Sequence, residues 1–437
     1  MSGRFDYGLI PPDSRVLCAL SGGADSMYLL CRLLAGAGRG GYTVAAAHYN
    51  HNLRPTAARD EAFVRDWCRR QGVELVVGSG DVAGAARRQG LGIEACARSL
   101  RYDFLERAAD CLGCQLIATG HHAGDNAETV LMHLLRGSGL EGLCGISPRR
   151  GRLIRPMLTL ERGQVLAYLE RERVPHVEDE SNTDPAYARN RIRAQVMPLL
   201  EQLRPGATGR IAAAATRLRV DRDALEADSA RLAAQACPSP RGLSLPAEVL
   251  AAAPRAIALR AAGALLARAG LGDRAAWREG IVALAAEDRP SGGLDVAGGR
   301  VYRAYGELIF SSCRPESPPP ERPLEEGKTY WGDWVIAARP GRCPPAAYAG
   351  PGEFYLKPAG YVIRSRRPGD GLRLGKRPWK SLKKLMIEGR VPREERPAVP
   401  VLALEGGAAA VGGLGPDRDA LATPGKRCLH ITMRRGE

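Results

Sequence analysis

The sequence predicts an α/β fold class, with an N-terminal parallel-sheet nucleotide-binding domain, a small helical domain and a C-terminal basic α+β domain. Three observations predict it. Strand-like and helix-like segments alternate through the first half of the 437 residues, alanine-rich helical patterns fill the middle, and short strand-like runs between glycines fill the end. A chain of this length accommodates two or three domains. We place them at residues 1–206, 207–313 and 324–437.

The first domain is predicted from regular alternation. Apolar runs predict strands at residues 15–20, 43–48, 73–77 and 115–119, and helical periodicity predicts helices at residues 26–34, 57–71, 93–109 and 125–135. This order is typical of a parallel sheet with helices on both faces. Residues 36–41 match the G-x-G-x-x-G pattern of dinucleotide-binding folds, but they follow a helix rather than a strand. We therefore expect a surface loop there.

The remaining elements are predicted from composition and periodicity. A helix opens at Arg189 and ends near residues 204–206, and a proline-rich stretch at 314–323 has the composition of a linker. Further helices are expected at 207–236, 247–270, around Trp277 and at 380–388, and strands at 292–312 and 361–366.

Charge favours a polyanionic partner. The net charge is +15, and much of it lies in two segments, with a net of +8 over residues 364–396 and +6 over residues 187–222. A biased genome would spread the excess evenly. The composition is that of a soluble protein, without a membrane-length apolar run or a secretory signal, so we expect a cytoplasmic protein with no membrane partner.

The eleven cysteines are scattered, as expected of reduced core residues. Cys111 and Cys114 form the one C-x-x-C pair, which cannot complete a zinc site alone. A redox pair is the alternative, but the position at a helix end before a strand favours a structural role.

Residues 21–26, Ser-Gly-Gly-Ala-Asp-Ser, join an apolar strand to a helix. Adjacent glycines let the backbone approach an anion, and helix-terminal N–H groups and serine hydroxyls can surround phosphate oxygens. Asp25 would repel a phosphate unless a divalent cation lies between them. The segment is not a Walker A loop, because no Gly-Lys-Ser/Thr follows. Alone, it could equally be a strand-to-helix turn with a capping serine.

A second motif ends the strand at 115–119. Asp125 and Glu128 are three residues apart and therefore share one helical face, where they could hold a metal or an ammonium group. The alternative is stabilisation of a helix N-terminus by acidic residues. Ser21, His48 and Gly120 each lie at the carboxyl end of a predicted strand, which is where ligands bind in parallel sheets.

These segments resemble the ATP-pyrophosphatase (PP-loop) superfamily and, over nearly the whole length, the tRNA(Ile)-lysidine synthetase family. The resemblance depends on the order and spacing of many pieces. They are residues 21–26, 51–54, 94–98 with 101–102, 121–129, 136–139 with 142–143, 155–158, 178–182, 189–193, 364–370 and 383–385.

The resemblance implies a defined reaction. ATP adenylates the C2 oxygen of the wobble cytidine in an isoleucine tRNA with a CAU anticodon, the ε-amine of free L-lysine attacks C2, and AMP leaves. The partners are therefore that tRNA and lysine, with ATP as co-substrate and Mg²⁺ as cofactor. The oligomeric state is left open, with a homodimer as one option.

The same resemblance implies residue roles. Asp25 holds Mg²⁺ and is catalytic, Asp125 and Glu128 bind the lysine ammonium and take part in catalysis, and Arg98, with Arg101, orients a phosphate or the activated base. The implied ATP-binding residues are Ser21, Gly22, Gly23, Ala24, Asp25, Ser26, His48 and Gly120. The implied tRNA-binding residues are Arg189, Arg191, Arg193, Lys376, Lys380, Lys383 and Lys384.

One departure from the family pattern affects the metal site. The family usually has paired aspartates where this chain reads Gly124-Asp125. If the missing carboxylate is a metal ligand, Mg²⁺ binding depends on Asp25 alone; if it is structural, Gly124 changes little. Two other functions compete with lysidine synthesis: a tRNA cytidine thiolase of the same superfamily, and a non-catalytic RNA-binding module.

Overall fold

The computed structural model describes residues 3–50, 57–90, 92–177, 188–288, 291–312 and 318–436. The chain divides into two compact units, Met1–Ala224 and Leu225–Glu437. The division falls inside one long helix, Ala207–Ala234. The domain boundaries expected at 206 and 313 stay predictions.

The first unit is built on one six-stranded sheet. Its strand order is β3-β2-β1-β4-β6-β5, and every pair is parallel except β5 with β6. The α/β class with a parallel N-terminal sheet is confirmed. In chain order the elements are β1 Arg15–Ala19, α1 Ala24–Gly40, β2 Thr43–Asn50, α2 Ala57–Gln71, β3 Glu74–Ser79, α3 Val82–Gln89, α4 Ile93–Cys111, β4 Leu116–Ala118, α5 Ala123–Leu135, α6 Leu140–Leu143, β5 Arg149–Arg150, β6 Leu153–Ile154, α7 Arg162–Arg171, α8 Ala188–Arg191, a π-helical turn Ile192–Val196, α9 Met197–Leu203 and α10 Ala207–Ala234.

Both faces of this sheet are covered by helices. On β1, Val16 and Cys18 belong to one apolar cluster, with residues of α1 and α7, and Leu17 belongs to another, with residues of α4. Successive strand residues point to opposite faces, so a strand buried on both sides is apolar throughout. This arrangement fixes the carboxyl ends of β1, β2 and β4 at one edge, where the two sequence motifs begin.

The prediction of a surface loop at residues 36–41 is wrong. Helix α1 continues to Gly40, and Gly41, with φ of +65°, ends it. A β-carbon at Gly36 or Gly40 would come within 2.4 Å of Tyr42 atoms. These glycines therefore let the Tyr42 ring pack directly on the helix, and the Tyr42 hydroxyl donates to the Leu33 carbonyl oxygen. The pattern serves packing between the helix and the following strand.

The first part of the second unit contains helices and one antiparallel sheet. Helix α10 is followed by β7 Cys237–Ser239, β8 Gly242–Pro246, α11 Ala247–Ala251, α12 Arg255–Arg268, α13 Ala275–Ala286, β9 Ser291–Val296, β10 Gly299–Ala304 and β11 Glu307–Ser311. The five strands form an antiparallel sheet in the order β7-β8-β11-β10-β9. The single helix expected at 247–270 is wrong: Pro254 precedes α12, and the residue before a proline disfavours the helical conformation.

The C-terminal part is richer in strands than the sequence suggested. Two five-stranded sheets have the orders β12-β17-β20-β21-β22 and β13-β14-β23-β16-β15, and β18 pairs with β19. The elements are β12 Arg322–Pro323, β13 Gly327–Trp331, β14 Trp334–Arg342, β15 Tyr348–Gly350, β16 Glu353–Leu356, β17 Val362–Arg364, β18 Gly371–Leu372, β19 Lys380–Ser381, α14 Leu382–Glu388, β20 Val401–Leu404, β21 Gly407–Val411, β22 Gly415–Pro416 and β23 Arg427–Arg435.

Two predictions here need correction. The expected linker at 314–323 ends in β12, which pairs with β17; its residues 314–317 lie outside the described residues. The helix expected from Lys380 begins at Leu382, because Lys380 and Ser381 pair with β18. None of the helices in the described ranges is long and apolar enough to cross a membrane.

Candidate active site

The nucleotide loop, residues 21–26, is organised by one buried hydroxyl. Ser26 Oγ accepts hydrogen bonds from the backbone N–H groups of Ser21 and Gly22, both at 3.1 Å, and donates to the Gly23 carbonyl at 2.9 Å. Gly22 has φ of +89°, a conformation that favours glycine. The loop is thus already curved, and its N–H groups converge at the start of α1 as an anion site requires.

Asp25 lies where the two motifs meet. A β-carbon at Gly120 would be 3.1 Å from the Asp25 carbonyl oxygen, so only glycine allows this approach without a shift. Burial raises the pKa of Asp25, whereas His122 lowers it. Its Oδ1 atom is buried and has no hydrogen-bond partner among the described residues. A desolvated carboxylate oxygen without a donor fits a cation.

Gly124 is explained by His122. The His122 ring caps α5: its Nδ1 accepts from the Gly124 N–H at 2.9 Å, while Asp125 Oδ2 accepts from the His122 N–H at 3.1 Å. A β-carbon at Gly124 would be 2.6 Å from His122 Cε1. Since Nδ1 is an acceptor, the neutral ring carries its proton on Nε2, which lies 3.8 Å from both Asp25 Oδ2 and Asp125 Oδ2. The His122 Nε2–H group therefore faces the carboxylates of Asp25 and Asp125. Gly124, where the family usually has an aspartate, lies next to this ring in the helix.

Two arginines hold the acid pair, Asp125 and Glu128. Arg189 lies in α8, and Arg193 lies in the π-helical turn that follows α8. Glu128 is buried, and Arg193 Nε donates to its Oε1 at 2.6 Å while Arg189 Nε donates to its Oε2 at 2.8 Å. Arg193 and Arg189 also reach Asp125 Oδ1, at 3.0 and 3.2 Å. Two carboxylates and two guanidinium groups thus form one neutral cluster.

These arginines were assigned to the tRNA, so their position adds a role that the sequence did not predict. Burial would raise the pKa of Asp125, but His122, His121 and Arg189 together lower it. Burial would lower the pKa of Arg193, but its hydrogen bond to Glu128 raises it. Both shifts favour the charged forms. Arg191, between the two, is exposed.

A second group of arginines surrounds His121. Burial lowers the pKa of His121 to about 3. The positive charges of Arg155, Arg98 and Arg101 also lower this pKa, whereas the negative charge of Asp125 raises it. Arg98 lies over the Tyr102 ring, 5.0 Å from its centroid, and donates to the Tyr102 hydroxyl at 3.3 Å. His121 is therefore neutral beside a cationic patch that suits a phosphate or a polarised base oxygen.

Arg155 lies near His121 and was not among the site residues predicted from the sequence. It is 6% exposed, its Nη1 donates to the Ser147 carbonyl at 2.6 Å, and its Nε atom is buried without a hydrogen-bond partner among the described residues. Its one signal in the sequence is its place in the family-like segment at 155–158. The Nε atoms of Arg32 and Arg219 are also buried without a hydrogen-bond partner among the described residues, so this feature alone does not identify a binding site.

The other predicted site residues lie as follows. His48 is buried in β2, with Nδ1 2.9 Å from the Leu20 carbonyl oxygen that precedes the nucleotide loop. Lys380 pairs with Glu388 at 2.7 Å. The other three lysines predicted to bind tRNA, Lys376, Lys383 and Lys384, are exposed. Their roles in ATP and tRNA binding stay predictions.

The cysteine pair does not favour sulfur chemistry. Cys111 is exposed, whereas Cys114 is buried, and burial raises the pKa of the Cys114 thiol. A thiol with a raised pKa is a poor nucleophile and metal ligand. Among the described residues, no three histidine, cysteine or acidic side chains converge to hold a metal. The segments at 51–54 and 178–182 lie outside the described residues.

Comparison with known proteins identifies the family. Residues 7–200 match the model of the PP-loop domain, and residues 361–433 match that of the TilS substrate C-terminal domain. A tRNA(Ile)-lysidine synthase from Geobacter sulfurreducens is 32% identical over 99% of this chain and 95% of its own length. That from Deinococcus radiodurans is 36% identical over 96% of this chain and 63% of its own. The chain belongs to the tRNA(Ile)-lysidine synthase family.

Proposed function

We propose that this enzyme joins free L-lysine to C2 of the wobble cytidine of isoleucine tRNA with a CAU anticodon, through an adenylated cytidine, releasing AMP and pyrophosphate. The observation that carries the proposal is the meeting of the nucleotide loop with the acid pair at one sheet edge, in a chain that matches a lysidine synthase over nearly its whole length. ATP use follows from the PP-loop domain.

The nucleotide half of the reaction uses the loop. The N–H groups of Ser21 and Gly22 would bind pyrophosphate oxygens after the Ser26 hydroxyl turns from them to the ligand. Asp25 would hold Mg²⁺ through the unpartnered Oδ1, and the ion would offset charge on the triphosphate. Arg98 and Arg155 lie where they could stabilise charge on the cytidine oxygen or the α-phosphate.

The lysine half uses the acid pair. Asp125, whose pKa is lowered, stays ionised and can pair with the lysine ammonium. Arg189 and Arg193 already neutralise both carboxylates, so the ammonium must take the place of at least one guanidinium group. One of the two carboxylates then accepts a proton from the ammonium, because the neutral amine is the nucleophile.

The displaced arginine acquires a purpose in this scheme. A guanidinium group released from the acid pair is free to bind a phosphate of the RNA or of the adenylate, which is the contact that arginines make best. The predicted tRNA role of Arg189 and Arg193 and the predicted lysine role of the acid pair are thus linked. Each substrate would favour the binding of the other.

The test is incorporation of labelled lysine. The full chain, incubated with ATP, Mg²⁺ and the CAU isoleucine tRNA, should transfer label to the RNA with one AMP per lysine, and Asp25→Ala should abolish transfer while tRNA binding survives. Label that never enters the RNA would favour a binding module, and sulfur transfer without lysine would favour a thiolase. A cytoplasmic location and a homodimer are also proposed; sedimentation velocity tests the latter.

A further inference from the structure

A half-exposed tryptophan lies in the small hairpin formed by β18 and β19. Trp379 is 51% exposed, whereas Trp331 and Trp334 of the same unit are 0% and 9% exposed. The hairpin pairs Leu372 with Lys380, and residues 373–379 form its loop. Single exposed apolar residues are common on protein surfaces, so the surroundings of Trp379 decide what its exposure means.

The indole is positioned by a glycine. A β-carbon at Gly371 would lie 2.3 Å from both Cε2 and Cζ2 of Trp379. The ring therefore packs directly on the Gly371 backbone, in a space that no other residue type provides. A side chain fixed in this way loses little conformational entropy when a flat ligand stacks on it.

Exposed cations lie close to this tryptophan in sequence, on its hairpin and on the following helix α14. Lys376, Lys383 and Lys384 are exposed, and the side chain of Arg377 is 67% exposed. Glu388 engages Lys380 at 2.7 Å and lies 4.0 Å from Arg377, so it offsets only part of the charge. Aromatic side chains interleaved with lysine and arginine are the arrangement by which proteins bind unpaired nucleotides.

We propose that Trp379 stacks on an unpaired base of the bound tRNA, while the neighbouring lysines contact the flanking phosphates. This proposal rests on tRNA being the substrate. Base-paired nucleotides are already stacked on one another, so an exposed indole selects a base at a single-stranded end or in a loop. Stacking on Trp379 would thereby add to the binding free energy a contribution that does not depend on salt, which lysine–phosphate contacts cannot supply.

The test is tRNA binding by the full chain, measured by filter retention between 50 and 300 mM KCl. Trp379→Ala should weaken binding by roughly 5- to 150-fold, the range for loss of one base–aromatic stack, with an unchanged salt slope. Trp379→Phe should bind nearly as well as the parent. The matched control is Tyr330→Ala, because Tyr330 is 64% exposed in the same unit but outside the hairpin, and it should bind like the parent.

A blunt-ended RNA duplex is the second probe. The parent and Trp379→Ala should bind it equally, because it offers no unpaired base. Equal tRNA binding by the parent and Trp379→Ala, or an equal loss on tRNA and duplex, would overturn the stacking proposal. Lysine incorporation is measured on the parent chain alone. If the parent incorporates lysine but Trp379→Ala binds tRNA as the parent does, the stacking proposal fails and the proposed reaction stands.

Discussion

Replacing Arg193 with glutamine removes one of the two guanidinium groups that hold the acid pair. Arg193 donates to Glu128 Oε1 at 2.6 Å, to Glu128 Oε2 at 3.0 Å and to Asp125 Oδ1 at 3.0 Å. Breaking a fully buried ion pair costs about 3–5 kcal/mol. Arg193 is one-third exposed and Arg189 stays in place, so we expect a loss of about 2 kcal/mol in the free energy of unfolding.

The same substitution should strengthen lysine binding. In the parent the incoming ammonium must displace a guanidinium group, whereas in Arg193→Gln one place on the acid pair is already open. If the displacement costs the same 2 kcal/mol, the variant should bind lysine about 30-fold more tightly in the absence of tRNA. At ten times the dissociation constant, lysine should restore about 1.4 kcal/mol of stability.

Isothermal titration with lysine and urea unfolding with and without lysine measure both quantities. Arg191→Gln is the matched control, because it removes the same charge from an exposed neighbour and should change neither. The exchange reasoning is refuted if Arg193→Gln binds lysine no more tightly than the parent. In that case the arginines would be permanent parts of the cluster, and lysine would bind elsewhere.

Three further predictions follow from the same geometry. Gly124→Ala should displace the His122 ring, and the lost cap and the gain in helix propensity should cancel to within about 1 kcal/mol; the pKa of the nearby Asp25 should rise in carbon NMR titration, since His122 lowers it. His121, with a pKa near 3 when folded against an ordinary 6.5, binds a proton only in the unfolded chain as pH falls below 6.5; stability should therefore drop by about 2 kcal/mol between pH 7 and 5, and His121→Phe should remove that drop in urea unfolding. Reversing the charge of Lys383 and Lys384 should weaken tRNA binding and flatten its salt dependence in filter retention, and an unchanged slope would contradict their assignment to phosphates.

Local patterns predicted the nucleotide-binding sheet well because they depend on neighbours in sequence. Helix α2 matches its predicted bounds, and β1 differs by one residue at its end. The sequence pattern was misleading for glycine, which occurs both in flexible loops and at sites of close packing. Gly36 and Gly40 favoured a loop by propensity, but they occur in a helix because the Tyr42 ring packs on them, a contact that no local pattern encodes.

The site shows the same limit. The spacing of Asp125 and Glu128 on one helical face was visible in the sequence, but their partners Arg189 and Arg193 are more than 60 residues away and come together through the fold. The sequence therefore could not predict that the two arginines neutralise the charge of the acid pair. Gly124 was read as a missing carboxylate; in the structure its missing β-carbon makes room for the His122 ring.

A crystal structure of the full chain with lysine and a non-hydrolysable ATP analogue tests the central claim most directly. We expect the triphosphate at residues 21–26 and the lysine Nζ atom within hydrogen-bond distance of Asp125 or Glu128, with at least one of the two arginines turned away from them. Lysine bound far from these carboxylates, with Arg189 and Arg193 still paired to both, would contradict it.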